Sequence, residues 1–235
     1  MLLCLDAGNT RLKFGLRDGA AWCTQGALDY ADVATLPQRL PAPAARIVAC
    51  NVAGDPARRH IDALAAQLRV PLEWLTSSAS ACDVSNGYDT PQQLGADRWA
   101  ALIGARALHA DACVVVLAGT ATTIDALDAQ GRFRGGLILP GLALMRSALA
   151  RNTADLPDAR GLFRQLATNT DDAIVSGALH ATLGAIERVR STQRQDVACL
   201  LSGGAAAELA PHMRRPFSVV DNLVLEGLAR FSRPA

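Results

Sequence analysis

The chain of 235 residues is 50% hydrophobic and 19% charged, enough apolar material for one large domain or two smaller ones. A net charge of +1, with Lys13 the only lysine, offers no general footprint for nucleic acid or an anionic membrane surface. No apolar run reaches the ~18 residues of a membrane span, and the opening MLLCLDAGNT is too short for a signal peptide. The six cysteines lie far apart without a CxxC pair, which argues against disulfide or zinc frameworks and for a soluble protein of the reducing cytoplasm.

Residues 1–28 read as three strands, LLCLDAG, RLKFGLRDG and AAWCTQGAL, with hairpin chemistry at Arg17-Asp18-Gly19. A strand follows at 45–50 (ARIVAC), then a helix in PARRHIDALAAQL, with Asp55 expected as its cap and Pro56 at a first helical position. Residues 70–76 (VPLEWLT) form another strand. The polar stretch 77–94 is longer than a connection needs, which points to a functional loop. A helix is expected from Gly95 to His109, then strands in CVVVLAGT and TTIDALDA, a Gln130-Gly131 turn, the strand RFRGGLILPG and a helix in LALMRSALA. The strongly periodic TDDAIVSGALHATLGAIERVR predicts a long helix with Thr170 at its N-cap. VACLLSGG reads as a strand and SVVDNLVLEGLARF as a closing amphipathic helix.

The order of elements thus repeats, and Gly8 and Gly119, each closing an apolar run, stand 111 residues apart. This predicts a duplicated α/β protein with a cleft between halves. Residues 1–112 would form the first half and 113–235 the second, the last helix packing back on the first.

Both copies break from strand into a small, hydroxyl-rich turn. In Asp6-Ala7-Gly8-Asn9-Thr10 the glycine lets backbone N–H groups approach an anion, and Asn9 and Thr10 can donate to phosphate oxygens. A carboxylate at the strand end, Asp6, can hold Mg²⁺ against those phosphates, and Lys13 follows on the next strand. Gly119-Thr120-Ala121-Thr122-Thr123 repeats the turn, but the residue two before its glycine is Leu117 rather than a carboxylate. Taken singly, each turn is also compatible with an ordinary strand-end turn. Together they have the layout of the phosphate loops of the actin/hexokinase/Hsp70 phosphotransferases. Asp97-Arg98 opens a helix after the polar loop and a glycine. Helix-dipole capping explains an acidic residue there, and so does a carboxylate placed to take a proton from an alcohol.

The string of motifs resembles the type III pantothenate kinases: DAGNTRLK at 6–13, GYDTPQQLGADRWAALIGA at 87–105, GTATTID at 119–125, GGLILPGLALMRSALARNTADLP at 135–157, TNTDDAIVSG at 168–177, SGG at 202–204 and NLVLEGL at 222–228. The resemblance implies a duplicated ribonuclease H-like, actin-like α/β fold and ATP-dependent phosphorylation of pantothenate, which opens coenzyme A biosynthesis. Asp6, Ala7, Gly8, Asn9, Thr10, Arg11, Leu12 and Lys13 would form the first ATP phosphate loop, with Asp6 orienting Mg²⁺ through water. Gly119 and Thr120 would contact phosphates from the second. Tyr88, Gly95, Ala96, Asp97 and Arg98 would bind pantothenate, Asp97 acting as base. Thr170 would complete that pocket from the partner subunit of a homodimer. Family members commonly carry Asp at the place of Leu117, where it helps bind a monovalent cation, K⁺ or NH₄⁺. Leucine there implies a lost, weakened or carbonyl-built cation site, for which Asp125 is not the aligned substitute. Two alternatives stay open: a catalytically silent relative that binds pantothenate or nucleotide, and a kinase of another small alcohol.

Overall fold

The computed structural model describes residues 1–193 and 197–232. The first sheet is built from β1 (Leu2–Ala7), β2 (Leu12–Asp18) and β3 (Ala21–Leu28), joined after the short helix α1 (Leu36–Arg39) by β4 (Arg46–Asn51). The helix α2 (Gly54–Leu68) then leads to β5 (Leu72–Trp74), and the strand order is β3-β2-β1-β4-β5. The meander β1–β2–β3 is antiparallel, whereas β1, β4 and β5 run parallel. That difference shows in the sequence. Central β1 is buried on both faces, while edge strand β3 alternates. Ala57, Ile61, Leu64 and Ala65 line one face of α2, at helical spacing, and pack on the side of the sheet that carries Leu3, Leu5, Ile47 and Ala49. Each fully buried Ile or Leu contributes roughly 1.5–3 kcal/mol to that contact.

The polar stretch is not a bare loop. It holds a small hairpin, β6 (Ser80–Ala81) and β7 (Val84–Ser85), and a 3-10 turn at Pro91–Gln93 before α3 (Ala96–Leu108). The second sheet comprises β8 (Cys113–Ala118), β9 (Ala121–Leu127) and β10 (Phe133–Pro140). Helices α4 (Leu142–Asn152) and α5 (Thr170–Arg190) intervene before β11 (Ala198–Ser202), and α6 (Ala206–Leu209) before β12 (Phe217–Val219). Its order, β10-β9-β8-β11-β12, and its mixture of antiparallel and parallel pairs repeat those of the first sheet. The chain closes with α7 (Leu223–Phe231), which packs on α3.

By contact, Met1–Asp111, Gln130–Phe133 and the chain from Asn222 onward form one compact unit, and Ala112–Ala129 with Arg134–Asp221 forms the other. Both are α/β, each a mixed sheet flanked by helices.

Three local expectations need correction. Ala53, not Asp55, is the N-cap of α2; Asp55 lies inside the first turn, where its charge still suits the helix dipole. The long helix α5 is capped by Asn169, whose side chain accepts from the Asp172 amide at 2.9 Å, so Thr170 is its first helical residue. Ser218 and Val219 belong to β12, because β11 offers them a parallel partner before the final helix begins. A 3-10 turn at Tyr30–Thr35 carries no recognisable signal in the sequence.

Candidate active site

The first loop is built by strand register. Asp6 stands opposite Lys13 in the antiparallel β1–β2 pair and opposite Cys50 in the parallel β1–β4 pair. Residues in register project from the same face, so three chemically unlike side chains meet in one row. Asp6 is only 4% exposed. Its Oδ2 lies 3.7 Å from Lys13 Nζ, and its Oδ1 accepts a hydrogen bond from Cys50 Sγ at 3.6 Å. Burial pushes the Asp6 carboxyl above the usual range; Lys13 opposes this, and the Asp97 charge adds to it. Burial, and next the Asp6 charge, push Cys50 well above the ordinary cysteine value, so it is a thiol and not a thiolate.

The turn that follows is presented to solvent. Asn9, Thr10 and Arg11 are exposed, and the Gly8 amide donates to the Asp6 carbonyl at 3.2 Å. Tyr30 Oη donates to the Gly8 carbonyl at 2.7 Å, tying the loop to the 3-10 turn. Arg11 pairs with Asp29 at 3.3 Å on the surface. Ala7 and Leu12 are fully buried, so their side chains serve the core and only their backbone belongs to the loop.

Around Asp97 the polar stretch is firmly pinned. Asn86 donates to the carbonyls of Ser78 and Pro91 and accepts from the Tyr88 amide, and Ser77 Oγ donates to the Leu94 carbonyl. Gly95 is the N-cap of α3, followed by Ala96, Asp97 and Arg98 in the first turn. The Asp97 carboxylate accepts from the Arg98 amide at 2.8 Å. Burial raises its pKa, while that amide and the Arg98 charge pull it down. Arg98 is buried, donates to Tyr88 Oη at 2.8 Å, and lies against the rings of Tyr88 and Phe133. A buried guanidinium held against two rings can serve an anionic ligand with little side-chain ordering.

In the second unit, the row matching Cys50–Asp6–Lys13 is Ser202–Leu117–Thr123. The Leu117 side chain supplies no oxygen. Buried Thr122 and Thr123 have hydroxyls without a hydrogen-bond partner among the described residues. Asp125 is fully buried and pairs in register with Val115, two positions along the strand from the Leu117 row. Gly119 and Thr120 are exposed at the turn. The Gly141 amide donates to the Thr120 carbonyl at 2.9 Å, and the Ala205 amide to the Ala118 carbonyl at 3.0 Å. A β-carbon at Gly141 would come within 2.1 Å of the Gly119 carbonyl, and one at Gly203, which has φ +109°, within 2.4 Å of the Ala118 carbonyl. Only glycine permits both approaches.

Thr170 is exposed at the start of α5 and lines an apolar groove of about 1040 Å³ with Met145, Leu149 and Ile174. Beside it, Asp172 accepts from the Leu162 amide at 2.7 Å and Asp171 from the Arg160 amide at 3.2 Å, which fastens the preceding coil to the helix. The Leu162 amide first, and then the Asn169 side chain, lower the Asp172 pKa.

Asp6, Lys13, Tyr88 and Gly95 to Arg98 therefore belong to the first unit, where Asp6 feels the charge of Asp97, and Gly119, Thr120 and Thr170 belong to the second. Two residues beside the first loop went unrecognised in the sequence. Tyr30 lies outside every motif. Cys50 sits in an apolar run where cysteine reads as a small hydrophobe, and only parallel register reveals its neighbour.

Two mixed sheets of the same strand order, each with a glycine turn after its central strand, define an α/β fold of the actin/hexokinase class. Its likeness to solved structures agrees. A Campylobacter jejuni protein described as a conserved Baf family transcriptional activator aligns with a TM-score of 0.65 at 22% identity, covering 97% of this chain and 96% of that one. A Sinorhizobium meliloti protein described as a 2-dehydro-3-deoxygalactonokinase aligns with a TM-score of 0.58 at 14% identity, covering 99% and 98%. The family profile for type III pantothenate kinase matches residues 2–192. The type III pantothenate kinase of Aromatoleum aromaticum is 52% identical over 237 residues, covering 99% of this chain and 98% of the relative. The chain belongs to the type III pantothenate kinase family.

Proposed function

We propose that this chain transfers the γ-phosphoryl group of ATP to the primary hydroxyl of pantothenate, forming 4′-phosphopantothenate in the first step of coenzyme A biosynthesis. The observation that carries the reading, beyond family membership, is the pair of carboxylates in the first unit. Asp6 ends a strand beside Lys13 and an exposed glycine turn, and Asp97 opens a helix on the pinned polar segment. Phosphoryl transfer needs little covalent help from a protein, so positioning and charge neutralisation are the expected tasks.

Asp97 accepts the proton of the pantothenate hydroxyl. Arg98, held by Tyr88, receives the pantothenate carboxylate, and Gly95 and Ala96 give the backbone of that pocket. The Gly8 to Arg11 turn and Lys13 cradle the nucleotide phosphates, with Gly119 and Thr120 contributing from the second loop. Asp6 is a hard oxygen donor suited to Mg²⁺. No cluster of three metal-ligating side chains occurs among the described residues, so phosphate oxygens and water would complete the ion's shell. When bound, Mg²⁺ offsets phosphate charge that Lys13 alone cannot neutralise.

The site is completed in a homodimer, Thr170 reaching the pantothenate of the partner. Leu144 and Leu149, each 39% exposed on α4 beside the groove, support an apolar contact there. Because Leu117 offers no ligand, a monovalent cation binds weakly if at all, held by carbonyls and hydroxyls, with NH₄⁺ serving about as well as K⁺. Exchange of K⁺ for Na⁺, NH₄⁺ or a bulky organic cation at fixed ionic strength tests this; a sharp K⁺ requirement would refute it. Among the described residues no helix is long and apolar enough to cross a membrane, and the six free thiols support a reducing, cytoplasmic setting.

The experiment is a coupled ADP-release assay with pantothenate beside a panel of other small alcohols. Pantothenate-dependent release supports the reading. Binding of pantothenate without turnover would make the chain a silent relative, and preference for another alcohol would reassign its substrate.

A further inference from the structure

A carboxylate buried as deeply as Asp6 needs partners that hold it in place. Lys13 Nζ, at 3.7 Å, is beyond hydrogen-bond length, and its side chain is 40% exposed, so it can turn toward a ligand. Cys50 is fully buried directly beneath, and its thiol donates to Oδ1 at 3.6 Å, within range for sulfur. We infer that Cys50 is a positioning residue for phosphoryl transfer: its S–H fixes the rotation of the Asp6 carboxylate, leaving Oδ2 to face Lys13 and the incoming metal–nucleotide. The inference rests on Asp6 being the carboxylate for Mg²⁺.

The second sheet supplies an internal control. Ser202 occupies the register place of Cys50, but its neighbour Leu117 has no acceptor, and the Ser202 hydroxyl donates to the Asp221 carbonyl at 3.4 Å. Where the carboxylate is missing, the donor turns elsewhere. Cys50 also suits the space. A thiol adds a weak donor to an apolar strand without the hydration a hydroxyl would demand before folding.

The test compares Cys50→Ser, which keeps a donor, with Cys50→Ala and Cys50→Val, which remove it. The first readout is the infrared S–H stretching band, obtained as wild type minus Cys50→Ala in the enzyme without metal. It is expected at lower wavenumber than an unbonded thiol. The second is Mn²⁺ binding in the presence of a non-hydrolysable ATP analogue, followed by electron paramagnetic resonance. Removing the donor is expected to weaken Mn²⁺ binding about two- to tenfold, the span of one modest hydrogen bond. Cys50→Ser is expected to recover most of it, and the KM for pantothenate to stay unchanged. An unshifted S–H band, or Mn²⁺ affinity unchanged in both Cys50→Ala and Cys50→Val, overturns the inference. So does an equal loss of Mn²⁺ and pantothenate affinity, which would mark Cys50 as packing alone. None of these readouts except KM requires turnover, so a failure of the kinase reading would show separately in the ADP-release assay.

Discussion

At the ends of β1 and β8 a backbone amide meets the carbonyl before the glycine, Val52 to Ala7 and Ala205 to Ala118, each at 3.0 Å. The first loop adds side chains: Tyr30 holds the Gly8 carbonyl, and Lys13 and Cys50 flank Asp6. The second adds a close backbone approach, the Gly141 amide on the Thr120 carbonyl, and Gly141 and Gly203 leave room for it. The two sheets share strand order, yet one row reads Cys50–Asp6–Lys13 and the other Ser202–Leu117–Thr123. Strand order is set by apolar patterning along several strands, and substitutions confined to one row leave it intact. The charge of the row is set by two residues, Asp6 and Lys13, where the second sheet has Leu117 and Thr123. A duplicated fold can therefore keep its frame in both copies and concentrate metal chemistry in one.

The largest expected effect lies in the first unit. Asp97→Asn should stay folded and lose about 10²–10⁴ in kcat, the usual weight of a general base. A drop below about threefold in a variant with native circular dichroism would remove Asp97 from that role. The same residue predicts the pH profile. Burial raises its pKa, and the base works ionised, so turnover should fall on the acid side at a pH above the ordinary aspartate range. The acid limb should be missing from the residual activity of Asp97→Asn, and an unchanged limb would assign it to another group.

The contrast between added side-chain ties in one loop and close backbone approach in the other can be broken next. Gly141→Ala and Gly203→Ala should each destabilise by about 1–3 kcal/mol through overpacking, read by chemical denaturation. Gly8→Ala should cost less, because the nearest atom to a β-carbon there, the Arg11 carbonyl oxygen, is 3.4 Å away. Equal losses at all three positions would mean that the loops are held alike. Tyr30→Phe is the mildest change. Loss of one hydrogen bond, about 0.5–1.5 kcal/mol, should raise the KM for ATP a few fold and leave that for pantothenate unchanged. A shift in both constants would point to a general loosening of the unit.

Much of this arrangement is legible in the sequence, for physical reasons. Apolar runs ending at Gly8 and Gly119 mark buried central strands, and the spacing of Ile61, Leu64 and Ala65 marks a helix face. The sequence misled where local signals compete. Asn169 and Thr170 are both good caps, and only backbone geometry selects Asn169. Ser218 and Val219 join a strand because β11 is there to pair with them, a fact no local pattern carries. Tyr30 and Cys50 were invisible for the same reason: their partners, Gly8 and Asp6, lie far away in the chain and come close only through folding.

The unequal division of labour between the two rows is tested most directly by one paired measurement. Asp6→Asn and Leu117→Asn place the same polar side chain at matching register positions, and calorimetric titration of Mg²⁺·ATP and of pantothenate can be run on both. Asp6→Asn should weaken Mg²⁺·ATP binding strongly and leave pantothenate binding nearly intact, whereas Leu117→Asn should change Mg²⁺·ATP binding little. Equal weakening of Mg²⁺·ATP by the two variants, or loss of both ligands together in Asp6→Asn, would contradict the account.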